Sequence, residues 1–146
     1  MLIVTLLTAL LVLASVLIHL GVLSRLSKWI LRLRFKGEIK VALALLGALA
    51  AHMAEVMLFS GGYYFLAHTE HVGKLVGTHL QGFVDYGYYS IVTYTSLGLG
   101  DIVPKGELRI LTGVEALTGL ILIGWTTSFL FVEMQRFWER NRTGPY

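Results

Sequence analysis

Three long apolar blocks dominate this sequence, and each is long enough to cross a lipid bilayer. The first covers about residues 2–23 and carries no charged side chain. The second covers about residues 41–66, interrupted by His52 and Glu55; the third covers about 108–132, interrupted by Arg109 and Glu115. A spanning helix needs about 20 predominantly apolar residues, so every block qualifies. Composition agrees. A soluble domain keeps about a quarter of its residues charged, whereas this 146-residue chain has 14% charged and 55% hydrophobic residues, with a mean hydropathy of +0.71. The expected fold class is an all-α membrane protein with three transmembrane helices. The first block lacks a basic leader and a small-x-small cleavage site, so it reads as a retained helix rather than a signal peptide.

The charged residues set the expected topology. Arg25, Lys28, Arg32, Arg34, Lys36 and Lys40 crowd into residues 25–40, and Arg136, Arg140 and Arg142 follow the third block. Only Lys74, Lys105 and Arg109 lie between the second and third blocks. Lysine and arginine resist translocation, which puts residues 25–40 and the C-terminus in the cytoplasm, and the N-terminus and middle segment outside. Trp29, Ile30, Leu33 and Phe35 interleave with the basic residues, as in a stretch lying at the membrane interface. Irregular spacing outside the apolar blocks argues against a voltage sensor. The net charge of +3 therefore points to membrane lipid as a partner and not to nucleic acid. Cysteine is absent, which excludes disulfides, thiolate metal sites and thiol catalysis.

The chemistry concentrates in residues 83–101, FVDYGYYSIVTYTSLGLGD. The stretch up to Tyr94 suits three helical turns, too short to span, with Asp85 near its start where a carboxylate complements the helix dipole. A short helix that enters the membrane without crossing it needs protein or a water cavity around it. Gly98 and Gly100 then stand at alternate positions, where left-handed backbone costs little. Alternation of left- and right-handed residues points successive carbonyls the same way. Four such strands around an axis replace a cation's hydration shell with rings of oxygens, and the Ser96 hydroxyl is placed to complete the innermost ring.

This layout, a helix, a short aromatic helix, T-x-x-G-x-G-D from Thr95 to Asp101, then Pro104 and another helix, resembles the two-helix pore module of the potassium channel superfamily. The resemblance covers about residues 41–140 and leaves the first helix outside. It implies a re-entrant pore helix followed by an extended selectivity-filter strand of Thr95, Ser96, Leu97, Gly98, Leu99 and Gly100. It also implies Asp101, Tyr88, Tyr89 and Glu115 as filter support, and Gly119 as a gating hinge in the inner helix. Residues 1–24 then form an N-terminal helix, 25–40 a basic cytoplasmic linker, 41–135 the pore domain and 136–146 a short cytoplasmic tail. One filter strand per chain implies a homotetramer with three further copies, with permeant potassium ions at the filter carbonyls and no other cofactor. The sequence departs from the family pattern. The family usually has Val at Leu97, Tyr at Leu99, often Thr at Ser96, and a pore-helix carboxylate at Val92. A weakly selective cation channel is the alternative these departures leave open.

Two readings from other classes compete. Gly98-Leu99-Gly100-Asp101 also resembles the G-x-G-D motif of intramembrane aspartyl proteases, whose chemistry needs a second aspartate. Asp85 is the only other one, it lies in the short aromatic segment, and three helices are few to enclose a hydrolytic site. A non-conducting subunit of a larger complex is the third reading. Among lesser features, Glu115 is expected either to bond the pore helix, through Thr93, Tyr94 or Tyr89, or to be hydrated near the interface. His52 and Glu55 share a helix face at i and i+3 and are expected to satisfy each other. His68, His71 and His79 read as solvated loop histidines. Small hydroxyl residues in 124–128 suit either a wet cavity or helix packing, with a gate expected near Phe131 or Met134.

Overall fold

The computed structural model describes residues 1–69, 72–77 and 82–142. Four helices carry the architecture: α1 (Leu2–Arg32), α2 (Gly37–Ala67), α3 (Phe83–Tyr94) and α4 (Leu108–Arg142). Three of them, α1, α2 and residues Leu108–Trp138 of α4, are long and apolar enough to cross a membrane. Their surfaces match that setting. Leu6, Leu10, Leu13 and Leu17 of α1 stand exposed, as do Leu117, Leu120 and Ile121 of α4. An exposed apolar surface of this extent marks contact with lipid or another protein.

The helices outrun the apolar blocks that announce them. α1 continues through Arg25 and Lys28 to Arg32, and α2 begins at Gly37, so only residues 33–36 of the expected basic linker lie outside a helix. Backbone hydrogen bonding, not hydropathy, decides where a helix stops. Lys and Arg are good helix formers, and their long stems let the charge reach water from a helix lying along an apolar surface.

α2 is the hub, packing against α1, α3 and α4, while α1 also packs on α4. One core cluster joins Val4 and Leu11 of α1 to Phe59 and Tyr63 of α2, Tyr89 of α3 and Leu111 of α4. A second, at the opposite end, joins Ile30, Ala44 and Phe137. The Met1 amine pairs with Glu107, while Glu133 and Arg136 of α4 meet Ser27 of α1. The start of α1 and the 72–107 segment therefore share one end of the bundle, and the basic residues of the helix termini share the other.

The fold is mostly but not wholly helical. β1 (Leu75–Gly77) pairs antiparallel with β2 (Ile102–Pro104) in the register Leu75↔Pro104, Val76↔Val103 and Gly77↔Ile102. The β-branched Val76, Ile102 and Val103 favour extended backbone. Further backbone bonds, Lys105 to the Lys74 carbonyl and Glu107 to that of Val72, extend the pairing. The two ends of the 77–102 segment are thereby tied together, and α3 is held as an insertion between α2 and α4.

α3 meets α4 at Gly119. A Cβ there would lie 2.1 Å from the Tyr94 carbonyl oxygen, a backbone atom that cannot turn aside. Gly124, by contrast, has nothing within 4 Å of its Cβ position. Gly119→Ala is expected to destabilise the protein by about 1–3 kcal/mol, the usual range for overpacking. Gly124→Ala should leave stability unchanged or raise it. Thermal unfolding of both variants in detergent micelles checks the contrast.

Candidate functional site

The α3 helix is defined at both ends by local bonds. Its first turn is closed by the Gly82 amide, which donates to Asp85 Oδ2 at 2.9 Å. Its C-terminus ends in a Schellman arrangement. The Ser96 amide donates to the Thr93 carbonyl at 2.8 Å, and the Leu97 amide reaches back to Val92 at 2.9 Å. Ser96 sits at the left-handed position with φ 57°. It is the only non-glycine residue with positive φ among the described residues. A left-handed residue other than glycine costs roughly 1–2 kcal/mol, which the satisfied helix-end carbonyls offset.

Beyond Ser96 the backbone alternates. Gly98 (φ 56°) and Gly100 (φ 81°) are left-handed, and the intervening Leu97 and Leu99 are not. The sequence pointed to the two glycines; Ser96 as a third left-handed position was not foreseen. Within the segment expected to be extended from Thr95 to Gly100, the first two residues are turn rather than extended backbone. Thr95 and Ser96 complete the last turn of α3, and the Gly98 amide also leans back on the Val92 carbonyl at 3.3 Å. Irregular backbone begins only at Leu97. Leu97 and Leu99 are 63% and 58% exposed, and nothing lies within 4 Å of a Cβ at Gly98 or Gly100.

Tyr88 and Tyr89 both anchor this segment, in different directions. Tyr88 Oη donates to Asp101 Oδ2 at 2.8 Å, tying the middle of α3 to the residue after Gly100. That hydrogen bond to a carboxylate holds the Tyr88 phenol above its ordinary pKa. Tyr89 instead turns to α4, with its Oη 2.8 Å from Thr112 Oγ1, and its ring meets Tyr63 edge-on at 5.0 Å.

Glu115 is fully buried between α2, α3 and α4. Ser90 of α3 donates to its Oε1 and Tyr63 of α2 to its Oε2, each at 2.5 Å. Ser90 Oγ also lies 2.8 Å from the Val56 carbonyl. The bond to α3 runs through Ser90 rather than Thr93, Tyr94 or Tyr89, and complete burial rules out hydration at the interface. Ser90 and Tyr63 carried no distinguishing signal in the sequence, because their meeting depends on how α2 and α4 face α3.

His52 and Glu55 do meet, with His52 Nδ1 3.2 Å from Glu55 Oε2, but the pair is not self-contained. His19 of α1 reaches Glu55 Oε1 at 2.9 Å, and the Tyr94 hydroxyl donates to Glu55 Oε2. Nothing in the first apolar block had singled out His19. In α4, Thr127 and Ser128 donate to their own helix carbonyls and stand exposed with Phe131, whereas Thr126 points inward to the histidines. His68 Nδ1 lies 2.7 Å from the Tyr64 carbonyl, a local bond within its own turn. His71 and His79 lie outside the described residues.

Glu115→Gln replaces one acceptor oxygen by an amide that cannot accept, leaving Tyr63 or Ser90 without its bond. A buried donor left without its partner costs about 1–3 kcal/mol. A loss of that order, read from thermal unfolding in detergent, is expected for Glu115→Gln. Tyr63→Phe is expected to lose less, because it removes the donor together with its bond, whereas Glu115→Gln strands a buried donor.

Residues 51–136, more than half of the chain, match the sequence profile of the family described as ion channel. Over 50 residues the chain is 44% identical to two-pore potassium channel 4 of Arabidopsis thaliana, a stretch amounting to 34% of this chain and 18% of that protein. The matched stretch is thus under a fifth of that relative's length. No solved structure matches the chain. The family match takes in most of α2, all of α3, the 95–101 segment and most of α4, and leaves α1 outside. Membership removes the protease reading, since it makes the chain a channel protein and not an enzyme. This multi-pass membrane protein belongs to the ion channel family.

Proposed function

We propose that the chain is one subunit of a homotetrameric channel that conducts potassium through backbone carbonyls of Thr95, Ser96, Leu97, Gly98, Leu99 and Gly100. The observation that carries this reading is the backbone of residues 96–100. Left-handed residues at Ser96, Gly98 and Gly100 alternate with right-hand-side φ values at Leu97 and Leu99. Alternation of this kind turns successive carbonyls to one side, as a ring of cation ligands requires. The exposure of Leu97 and Leu99 in a single chain fits a segment whose neighbours are other copies of itself.

The surroundings support the same function. α3 has 12 residues, about 18 Å at the usual rise, so it enters without crossing as a re-entrant pore helix. Its C-terminal end carries about half a negative charge, aimed toward a cation below the filter. Tyr88, bonded to Asp101, and Tyr89, bonded to Thr112, brace the filter from two sides. Glu115 fixes the pore helix from behind, and Gly119 allows the inner helix to bend beside Tyr94. The exposed Thr127 and Ser128 line the cavity, with Phe131 near the gate. The filter and the start of α1 face outside, and the basic helix ends face the cytoplasm.

Leu99 gives a second reading its footing. The hydroxyl usual at that position is missing, so the filter's width rests on Tyr88 and Tyr89 alone, and a weakly selective cation pore is the alternative. Flux from purified protein in liposomes distinguishes the two. Potassium flux above sodium flux, abolished by Gly98→Asp, is the expected result. Equal fluxes abolished by the same substitution identify a non-selective cation pore. Flux unaffected by Gly98→Asp overturns the filter assignment. Chemical cross-linking in the same preparation should saturate at four chains.

A further inference from the structure

A buried donor cluster lies where α1 meets α2 and α4, beside the end of α3. It contains His19 of α1, His52 and Glu55 of α2, Thr126 of α4 and Tyr94 at the end of α3. His19 and Glu55 are fully buried, and the ligand atoms of His19, His52 and Glu55 all lie within 4.8 Å of one another. Glu55, His19, Thr126 and His52 form a closed ring of contacts. Glu55 Oε1 meets His19 Nδ1 at 2.9 Å, and Glu55 Oε2 meets His52 Nδ1 at 3.2 Å. On the far side, His52 Nε2 and His19 Nε2 both meet Thr126 Oγ1, at 2.9 and 3.2 Å. The Tyr94 hydroxyl closes on the inner face, bonded to Glu55 Oε2 and 2.9 Å from His52 Nδ1.

Proton counting shows what this ring lacks when neither histidine carries a charge. If both histidines are neutral and each donates its Nδ1 proton to Glu55, two Nε2 lone pairs face one threonine hydroxyl. That hydroxyl has one hydrogen, so one nitrogen is left without a donor. A buried carboxylate also needs a compensating charge. Among the described residues no Lys or Arg pairs with Glu55; its ion-pair partners are the two histidines.

We propose that this cluster is a binding site for a divalent transition ion of the zinc type. The ion is held by His19 Nδ1, His52 Nδ1 and a Glu55 oxygen, with the Tyr94 hydroxyl as the fourth donor. Each histidine keeps one proton, moved from Nδ1 to Nε2. Both Nε2–H groups then donate to the two lone pairs of Thr126 Oγ1, the outer-shell bond that metal-bound histidines ordinarily make. The mismatch in the ring is removed, and Glu55 gains its counter-charge. Two imidazoles with oxygen donors and no sulfur, closed from solvent, suit four-coordinate zinc. The ring of Trp125, 5.3 Å from His19, shields one side. An ion here ties α1 to α2 and fastens Tyr94, the residue before Thr95, so its occupancy would bear on the conformation of the 95–101 segment. The site stands independently of which ion the channel conducts.

The test uses the full chain in detergent micelles, stripped with a chelator, incubated with zinc chloride, desalted and analysed for metal. About one zinc per chain is expected, with nitrogen and oxygen ligands at about 2.0–2.1 Å by X-ray absorption and imidazole scattering beyond. His19→Gln and Glu55→Gln should each abolish retention. Thr126→Val keeps every ligand and is expected to weaken affinity about 10–100-fold, so it serves if the ligand variants do not fold. His68→Gln, a surface histidine, should retain the metal in full. A wild-type chain that keeps no zinc, or Thr126→Val and ligand variants that keep as much as wild type, overturns the proposal and leaves a proton-sharing hydrogen-bond network in its place.

Discussion

The structure depends on how polar groups are satisfied where no water competes. With 12 residues α3 is too short to cross a bilayer, and it is fastened by side-chain bonds to the helices around it. Ser90 meets Glu115 and the Val56 carbonyl, Tyr89 meets Thr112, and Tyr94 meets Glu55. In water such bonds would exchange with solvent at small net gain. In a low-dielectric interior an unpaired carboxylate or hydroxyl is costly, so each bond restricts the arrangements α3 can take. Two buried glutamates, Glu55 of α2 and Glu115 of α4, receive two of these four bonds. The helix is therefore positioned by hydrogen-bond direction, with apolar packing filling the remaining space.

That fastening carries over to the backbone that follows. The Schellman arrangement at Ser96 ends α3 abruptly and sends residues 97–100 off in a defined direction. Asp101, held by Tyr88, and the β1–β2 pair fix the far end. Between these two clamps the glycines face open space. A single chain thus prepares both ends of the segment and leaves its middle to be completed by whatever surrounds it. The close approach of Gly119 to the Tyr94 carbonyl sets the distance from α4, so the inner face of α4 and the start of the segment move as neighbours.

α1 adds more than another lipid-facing helix. Most of its leucines stand exposed, but His19 turns inward to Glu55 and Thr126, and Leu11 packs against Gly62 of α2. The family match stops short of α1, yet α1 completes the polar cluster behind Tyr94. The helix therefore adds a third partner, His19, to a buried carboxylate that the module's own His52 and Tyr94 also meet, at a point adjoining the 95–101 segment.

The spans, the short aromatic helix and the glycine alternation were legible in the sequence because each is a local property. A run of apolar residues is stable inside a bilayer, and glycine at alternate positions lets the backbone turn left-handed at little cost. Helix ends were less legible, since basic residues at 25–32 propagate a helix as readily as they mark an interface. Apart from the His52–Glu55 pair, the side-chain partners of Glu115 and Glu55 were not legible. Ser90, Tyr63, Tyr94, His19 and Thr126 come from four different helices, and their meeting depends on the rotation of each helix about its axis. Nor did Ser96 announce its left-handed backbone, which arises from the carbonyls of Val92 and Thr93 that its turn satisfies. By itself the sequence determined that the chain crosses a membrane and where its channel-type segment lies, because hydropathy and backbone freedom act along the chain. Only the tertiary structure decided which buried charges face which donors, because hydrogen bonds act across space and over a few ångströms.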